Sequence, residues 1–309
     1  MSNSSYAQDE LPAGLAEHMN ECLVTAIDRH YAIAKDWFPH EYVPWSDGRN
    51  FDTEPYDPEQ SPLSKPVQTS LLLNLLTEEN LPSYHRELSR ALGMEGSWGE
   101  WIRRWTAEEG RHGIVMRDYM IVKRIADPEL IEIERMATVQ AGYDATEKNM
   151  LRSIAYVSFQ ELATRISHRN TGHLSEDPML DKLMTRIATD ENLHHVFYRS
   201  LVKDVLDYSP NEMLEAIADE VEAFQMPGTG IPGFVRKAVV VAKAGIYNAR
   251  VHRDEVIAPL LRFWGVFELE GLDARGEIAR ARIQSVVDAL DVAVSRLESK
   301  MNRASLPVS

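Results

Sequence analysis

Two motifs constrain this chain more than anything else in it: Glu109-Gly110-Arg111-His112 and Glu191-Asn192-Leu193-His194. Each puts a carboxylate and an imidazole three positions apart, so on a helix the pair shares one face. That face is otherwise apolar. Stepping back from Glu109 by helical increments meets Trp105, Trp101 and Trp98, and stepping forward from His112 meets Met116, Tyr119 and Met120. The second stripe runs Leu180, Leu183, Met184, Ile187, Glu191, His194, Tyr198, Leu201 and Val205. An ionised carboxylate on a core-facing stripe is costly unless it is paired or coordinates a metal. One such pair fits a buried salt bridge; two on separate long helices point to a metal site.

Two solitary carboxylates complete the pattern. Glu78 follows Leu71, Leu72 and Leu75 on one stripe, and Glu161 shares a face with Met150, Ile154, Val157, Thr164 and His168. Glu78 precedes Glu109 by nearly the interval that separates Glu161 from Glu191. The chain therefore repeats a unit, a helix with one buried Glu and then a helix with Glu-x-x-His. Brought to one level of a bundle, these groups form the arrangement by which carboxylate bundles hold two iron or manganese ions. Four carboxylates would offset the charge of two divalent cations.

Composition narrows the chemistry. Cys22 is the single cysteine, which excludes an internal disulfide and a thiolate cage. Any metal site must use nitrogen and oxygen donors, favouring iron, manganese or zinc. A net charge of −15 argues against bulk nucleic-acid binding. No run reaches the roughly 18 apolar residues of a membrane helix; the nearest, 235–246, is interrupted by Arg236, Lys237 and Lys243. Residues 1–10 lack a signal-peptide apolar run, so a cytoplasmic location is expected.

Read in order, the chain is all-α and forms one domain over 1–309. A disordered start, 1–12, precedes a helix over 15–34. Six prolines between 36 and 66 forbid helix and central strand alike. A helix is expected over 67–92, distorted by Pro82, which lacks the N–H that would return to the carbonyl of Glu78. Ser97-Trp98-Gly99-Glu100 reads as a capping box opening the first motif helix. Further helices are expected over 129–142, 146–169, 178–208 and 211–224. A Pro/Gly-rich loop, 225–233, is followed by helical patterns over 234–246, 253–265 and 273–302, then a loose tail, 303–309. Glu79 and Glu108 are expected to face outward, and His195 to turn away from the side of His194. Trp98, Trp101 and Trp105 read as core packing, and His30 and His168 receive no role.

The sequence resembles a known family, the soluble acyl-[acyl-carrier-protein] desaturases of plants and actinobacteria. The resemblance is carried by Thr77-Glu78-Glu79-Asn80-Leu81-Pro82-Ser83-Tyr84, by Trp105 through Gly113, by Phe159-Gln160-Glu161-Leu162-Ala163-Thr164 and by Asp190-Glu191-Asn192-Leu193-His194. Tyr42-Val43-Pro44-Trp45-Ser46-Asp47-Gly48 and Met226-Pro227-Gly228 look like the actinobacterial branch. The resemblance implies a ferritin-like four-helix bundle with flanking helices. It implies two Fe2+ ions (Mn2+ as a substitute) on Glu78, Glu109, His112, Glu161, Glu191 and His194. Thr164 would lie beside the oxygen-binding face, and Trp37 and Asp190, with His112, would carry electrons inward. The implied substrate is a fatty acyl chain on acyl carrier protein, and the implied assembly is a homodimer. With no glycine fingerprint for a nucleotide, electrons would come from a ferredoxin-type donor. Acyl carrier proteins are acidic, so docking on this acidic chain needs a local basic patch, for which Arg103, Arg104, Lys123 and Arg124 are candidates. Two other readings keep the helices: a di-metal monooxygenase or oxidase on another substrate, and a non-catalytic metal-binding helical protein.

Overall fold

The structure is a computed structural model describing residues 11, 12, 14–145, 147–226 and 228–304, backbone only at 297, 298 and 300–304. Among these there is no strand. The expected loose ends fall largely outside the described residues. The helices are α1 (Leu15–Ile33), α2 (Lys65–Glu79), α3 (Leu81–Leu92), α4 (Gly96–Val122), α5 (Pro128–Ala141), α6 (Met150–Leu174), α7 (Pro178–Tyr208) and α8 (Pro210–Ala223). Then come α9 (Phe234–Lys243), the short α10 (Ala249–Val251), a π-helical segment His252–Ile257, α11 (Ala258–Trp264) and α12 (Ala274–Ala304).

Four of these enclose the middle of the molecule. α2 packs on α4 and α6, and α7 packs on the same two, closing a ring. α1 covers α4 and α7, α3 covers α4 and α6, α5 and α9 cover α2, and α8 lies between the bundle and α12. The bundle interior is layered. One apolar cluster holds Trp101, Trp105, Ile154, Phe159, Tyr198 and Leu201, and a second holds Leu71, Leu75, Met116, Tyr119, Leu183 and Ile187. Between them, at 108–112 on α4 and 190–195 on α7, the buried residues turn polar. This is where both apolar stripes are interrupted.

Starts and stops follow local chemistry. The Asp177 carboxylate accepts from the backbone N–H groups of Met179 and Leu180 at 2.8 and 2.9 Å, so the expected Asp-Pro start of α7 is present. Two expectations need correction. The helix read over 67–92 is two helices, divided at Asn80, because Pro82 lacks the donor that would carry the ladder across. The capping box at Ser97 is also absent: α4 already begins at Gly96, with no side-chain cap. Just after α4, Arg124 is buried beneath the 36–66 stretch, where it stacks on Phe51 at 4.1 Å and bonds to Gln60 and to the Glu54 carbonyl. Those contacts pin the proline-rich loop to the bundle.

Candidate metal centre

α2 carries Glu78 in its last turn, α4 carries Glu109 and His112, α6 carries Glu161, and α7 carries Glu191 and His194. All six are buried. The structure brings them together as two groups, Glu78–Glu109–His112–Glu191 and Glu109–Glu161–Glu191–His194, with donor atoms inside each group within 4.8 Å of one another. Glu109 and Glu191 belong to both groups, as carboxylates bridging two neighbouring ions would. His112 Nδ1 lies 3.2 Å from Glu109 and from Glu191, and His194 Nδ1 lies 2.7 Å from Glu109 and 3.6 Å from Glu161.

The donor atoms fit cations. Glu109 Oε1, Glu161 Oε2, both oxygens of Glu191 and the Nδ1 atoms of both histidines are buried without a hydrogen-bond partner. Buried polar atoms left unpaired are costly, and here they all face one another. Burial and then the charges of Glu109 and Glu161 push the Glu191 carboxyl well above its usual range. Burial opposes protonation of His112 and His194, but the surrounding carboxylates push both well above the usual imidazole value. Cations entering this site would therefore displace protons.

Each imidazole is held from behind. His194 Nε2 donates to Glu108 Oε2 at 2.9 Å, leaving Nδ1 to face the cluster. Glu108 also accepts from His30 Nε2 at 3.0 Å and pairs with Arg104 at 2.5 Å. On the other side, His112 Nε2 lies 3.5 Å from Asp190 Oδ2. Asp190 accepts from Trp37 Nε1 at 2.7 Å and from Arg111 at 3.1 Å, and pairs with Arg186. Burial would raise the Asp190 carboxyl, but the neighbouring His112, the hydrogen bond from Trp37 and the charge of Arg186 bring it down to about 2. Carboxylates behind metal-binding histidines fix ring orientation in this way.

Several side chains depart from expectation. Glu108 is buried, not outward-facing, because α1 covers a second face of α4. Its sequence signal was its place one turn beyond Trp105, on the same stripe. His30 was legible as an imidazole on the apolar stripe Met19, Leu23, Ile27. His168, fully buried, has Nε2 at 3.1 Å from Glu78 and 3.7 Å from Glu191; it sits two turns along α6 from Glu161. His195 is turned from the cluster, as expected, and bonds to the Ser158 carbonyl at 3.1 Å. Trp105 is more than packing, since its Nε1 donates to Glu161 at 3.1 Å. Trp37 is buried and lies nearly parallel to His112, 6.4 Å between centroids. The Thr164 hydroxyl donates to the Gln160 carbonyl one turn back, at 2.9 Å. Of the four candidates for a basic patch, Arg124 is buried, Lys123 is paired with Asp47 and Arg104 with Glu108, while Arg103 is exposed and, among the described residues, bonds only to the Met94 carbonyl.

A channel of about 660 Å³, mouth included, reaches this cluster. Its inner wall includes Glu78, Glu109 and Trp105, its sides Leu88, Tyr84 and Val157, and its outer part Glu87 and Lys148.

Comparison with known proteins matches residues 13–308 to the fatty acid desaturase family. The chain belongs to that family. It is 44% identical, over 90% of its length and 85% of the relative's, to a Mycobacterium tuberculosis protein named as the acyl-[acyl-carrier-protein] desaturase DesA1. It is 28% identical to the chloroplastic palmitoyl-[acyl-carrier-protein] 4-desaturase of Coriandrum sativum, over 90% of this chain and 77% of that one. The X-ray structure of M. tuberculosis DesA2, described as an acyl-ACP desaturase, superposes with a TM-score of 0.67 at 30% identity, covering 81% of this chain and 94% of that one. The higher identity to the mycobacterial relative puts this desaturase on the actinobacterial side of the family, as its motifs implied. Among the described residues no helix is long and apolar enough to cross a membrane.

Proposed function

We propose that this desaturase removes two hydrogens from adjacent methylenes of a fatty acyl chain carried on acyl carrier protein. The balanced reaction consumes one dioxygen, two electrons and two protons and yields the alkene and two waters. The observation that carries the reading is the pair of side-chain groups sharing Glu109 and Glu191 at the inner end of a largely apolar channel. Glu78, Glu109, His112, Glu161, Glu191 and His194 would hold two iron ions. Bound there, iron supplies the one-electron oxidising chemistry with dioxygen that side chains lack.

The chain's own residues have separable tasks. Leu88, Tyr84 and Val157 line a slot that excludes water and fixes which methylenes lie beside the cluster. Glu108 and Asp190 orient the two imidazoles, and buried Trp37 links Asp190 to the face covered by Arg111 and Arg186. That face is the proposed entry for electrons from a ferredoxin-type donor. At the mouth Lys148 is paired with Glu220, while the more exposed Arg86 and Arg90, both ion-paired to Glu87, are the cationic groups proposed to meet an acidic carrier protein.

The test is mass spectrometry of acyl carrier protein bearing a saturated chain, after incubation with iron-loaded protein, reduced ferredoxin and oxygen. Loss of two hydrogens from the acyl chain is expected, and Glu109→Ala should abolish it together with bound iron. An added oxygen atom in place of that loss would establish a monooxygenase instead.

A further inference from the structure

A second cleft, about 880 Å³ with its mouth, shares no lining residue with the channel. It opens between α6, α7 and the π-helical segment, over an apolar floor that includes Leu162 and Leu260. Its charged lining is Arg165 and Arg169 from α6, Arg199 from α7, and Asp254 and Glu255 from the π-helical segment. Two of these are already engaged: Arg169 pairs with Asp181 at 3.1 Å, and Asp254 pairs with Arg253 at 2.6 Å.

The remaining guanidiniums are under-used. Arg165 makes no hydrogen bond or ion pair within 4 Å with any described residue, though it lies in the field of Glu255. Arg199 stacks on Phe263 at 4.4 Å and donates from Nη1 to His195 Nε2 at 3.4 Å, while its Nε is buried without a partner. His195 Nε2 can accept, because its Nδ1–H is committed to the Ser158 carbonyl. Arg29 bonds to Ser200, beside Arg199; burial first, and then the charges of Arg29 and Arg165, depress the Arg199 pKa. Two guanidiniums with uncommitted donors lining one recess offer an anion ready partners.

We propose that this cleft binds a phosphate group, free or as a monoester, between Arg165 and Arg199. Guanidinium forks match tetrahedral oxyanions, and charge-assisted hydrogen bonds of this kind are among the strongest a protein makes. Glu255 also lines the cleft and would disfavour a ligand of higher negative charge. The reading does not rest on the desaturase activity.

Isothermal titration of the full-length, metal-loaded protein with inorganic phosphate and with glycerol 3-phosphate, at ionic strength balanced with chloride, tests it. Saturable binding at one site is expected. Arg165→Ala and Arg199→Ala should each weaken it at least about tenfold, as loss of a charge-assisted hydrogen bond predicts. Arg199→Lys should fall between, and Arg90→Ala at the channel mouth should bind as the parent does. Tighter binding of the ester would identify a phosphate ester as the occupant, and equal binding free phosphate; either supports the site. No saturable binding, or unchanged affinity in both alanine variants with their melting curves intact, overturns it.

Discussion

Glu109 and Glu191 differ from the other four members of the cluster in belonging to both groups. Removing one of them should therefore disturb two ions, whereas removing Glu161 should disturb one. After iron loading and dialysis, Glu191→Ala should retain almost no metal and Glu161→Ala about one ion per chain, since ligand loss acts directly on binding free energy. Equal retention by the two variants would contradict the sharing. Glu108 makes a different case, because it faces the rear of His194 and not the cluster. Glu108→Ala would leave His194 Nε2 and His30 unpaired in a buried site. We expect it to lower metal affinity roughly 10–100-fold without changing the number of ions bound, as a titration with cobalt followed by absorbance would show. Glu108→Gln, which still accepts a hydrogen bond, should recover part of that loss.

Elements position these residues through their interruptions as much as through their regularity. The break at Asn80 ends α2 at Glu79, so Glu78 projects from a last turn and not from mid-helix. The π-helical segment His252–Ile257 is another irregularity, held by a half-buried His252 that accepts from the Tyr247 hydroxyl at 2.8 Å and stacks on Phe224. Burial drops the pKa of His252 to about 4. Its folded form is neutral, whereas the unfolded chain takes up a proton below about pH 6.5. Its contribution to stability is therefore complete above pH 6.5 and lost as the pH falls to about 4. Between pH 7 and pH 4.5 the parent should lose about 2–3 kcal/mol more than His252→Phe, measured as the difference in urea unfolding free energy. Identical pH dependence in the two proteins would mean that His252 is solvated.

At the scale of the whole molecule, the bundle and its flanking helices enclose a slot that ends at a polar layer between two apolar clusters. Filling that slot should separate substrate entry from metal binding. Val157→Phe is expected to leave two ions bound and to slow acyl-chain turnover at least about tenfold, an increase in barrier of about 1.4 kcal/mol, with iron content and alkene formation measured on the same preparation. Full turnover in that variant would place the acyl chain elsewhere. The amino-acid sequence by itself determined the helices, the apolar stripes and the six residues that interrupt them, because helical periodicity is a local property and a carboxylate on a core-facing stripe stands out against it. It also marked Pro82 as a distortion, because the missing N–H is a local fact too, but not that the helix would divide there. What only the tertiary structure decided is which second face of a helix becomes covered. Glu108 reads as outward until α1 lies across α4, and His168 has no partner until α2 brings Glu78 to it. Arg124 reads as surface charge until the proline-rich loop folds over it. Burial of that kind depends on contacts between residues far apart in the chain, which no spacing along one helix encodes.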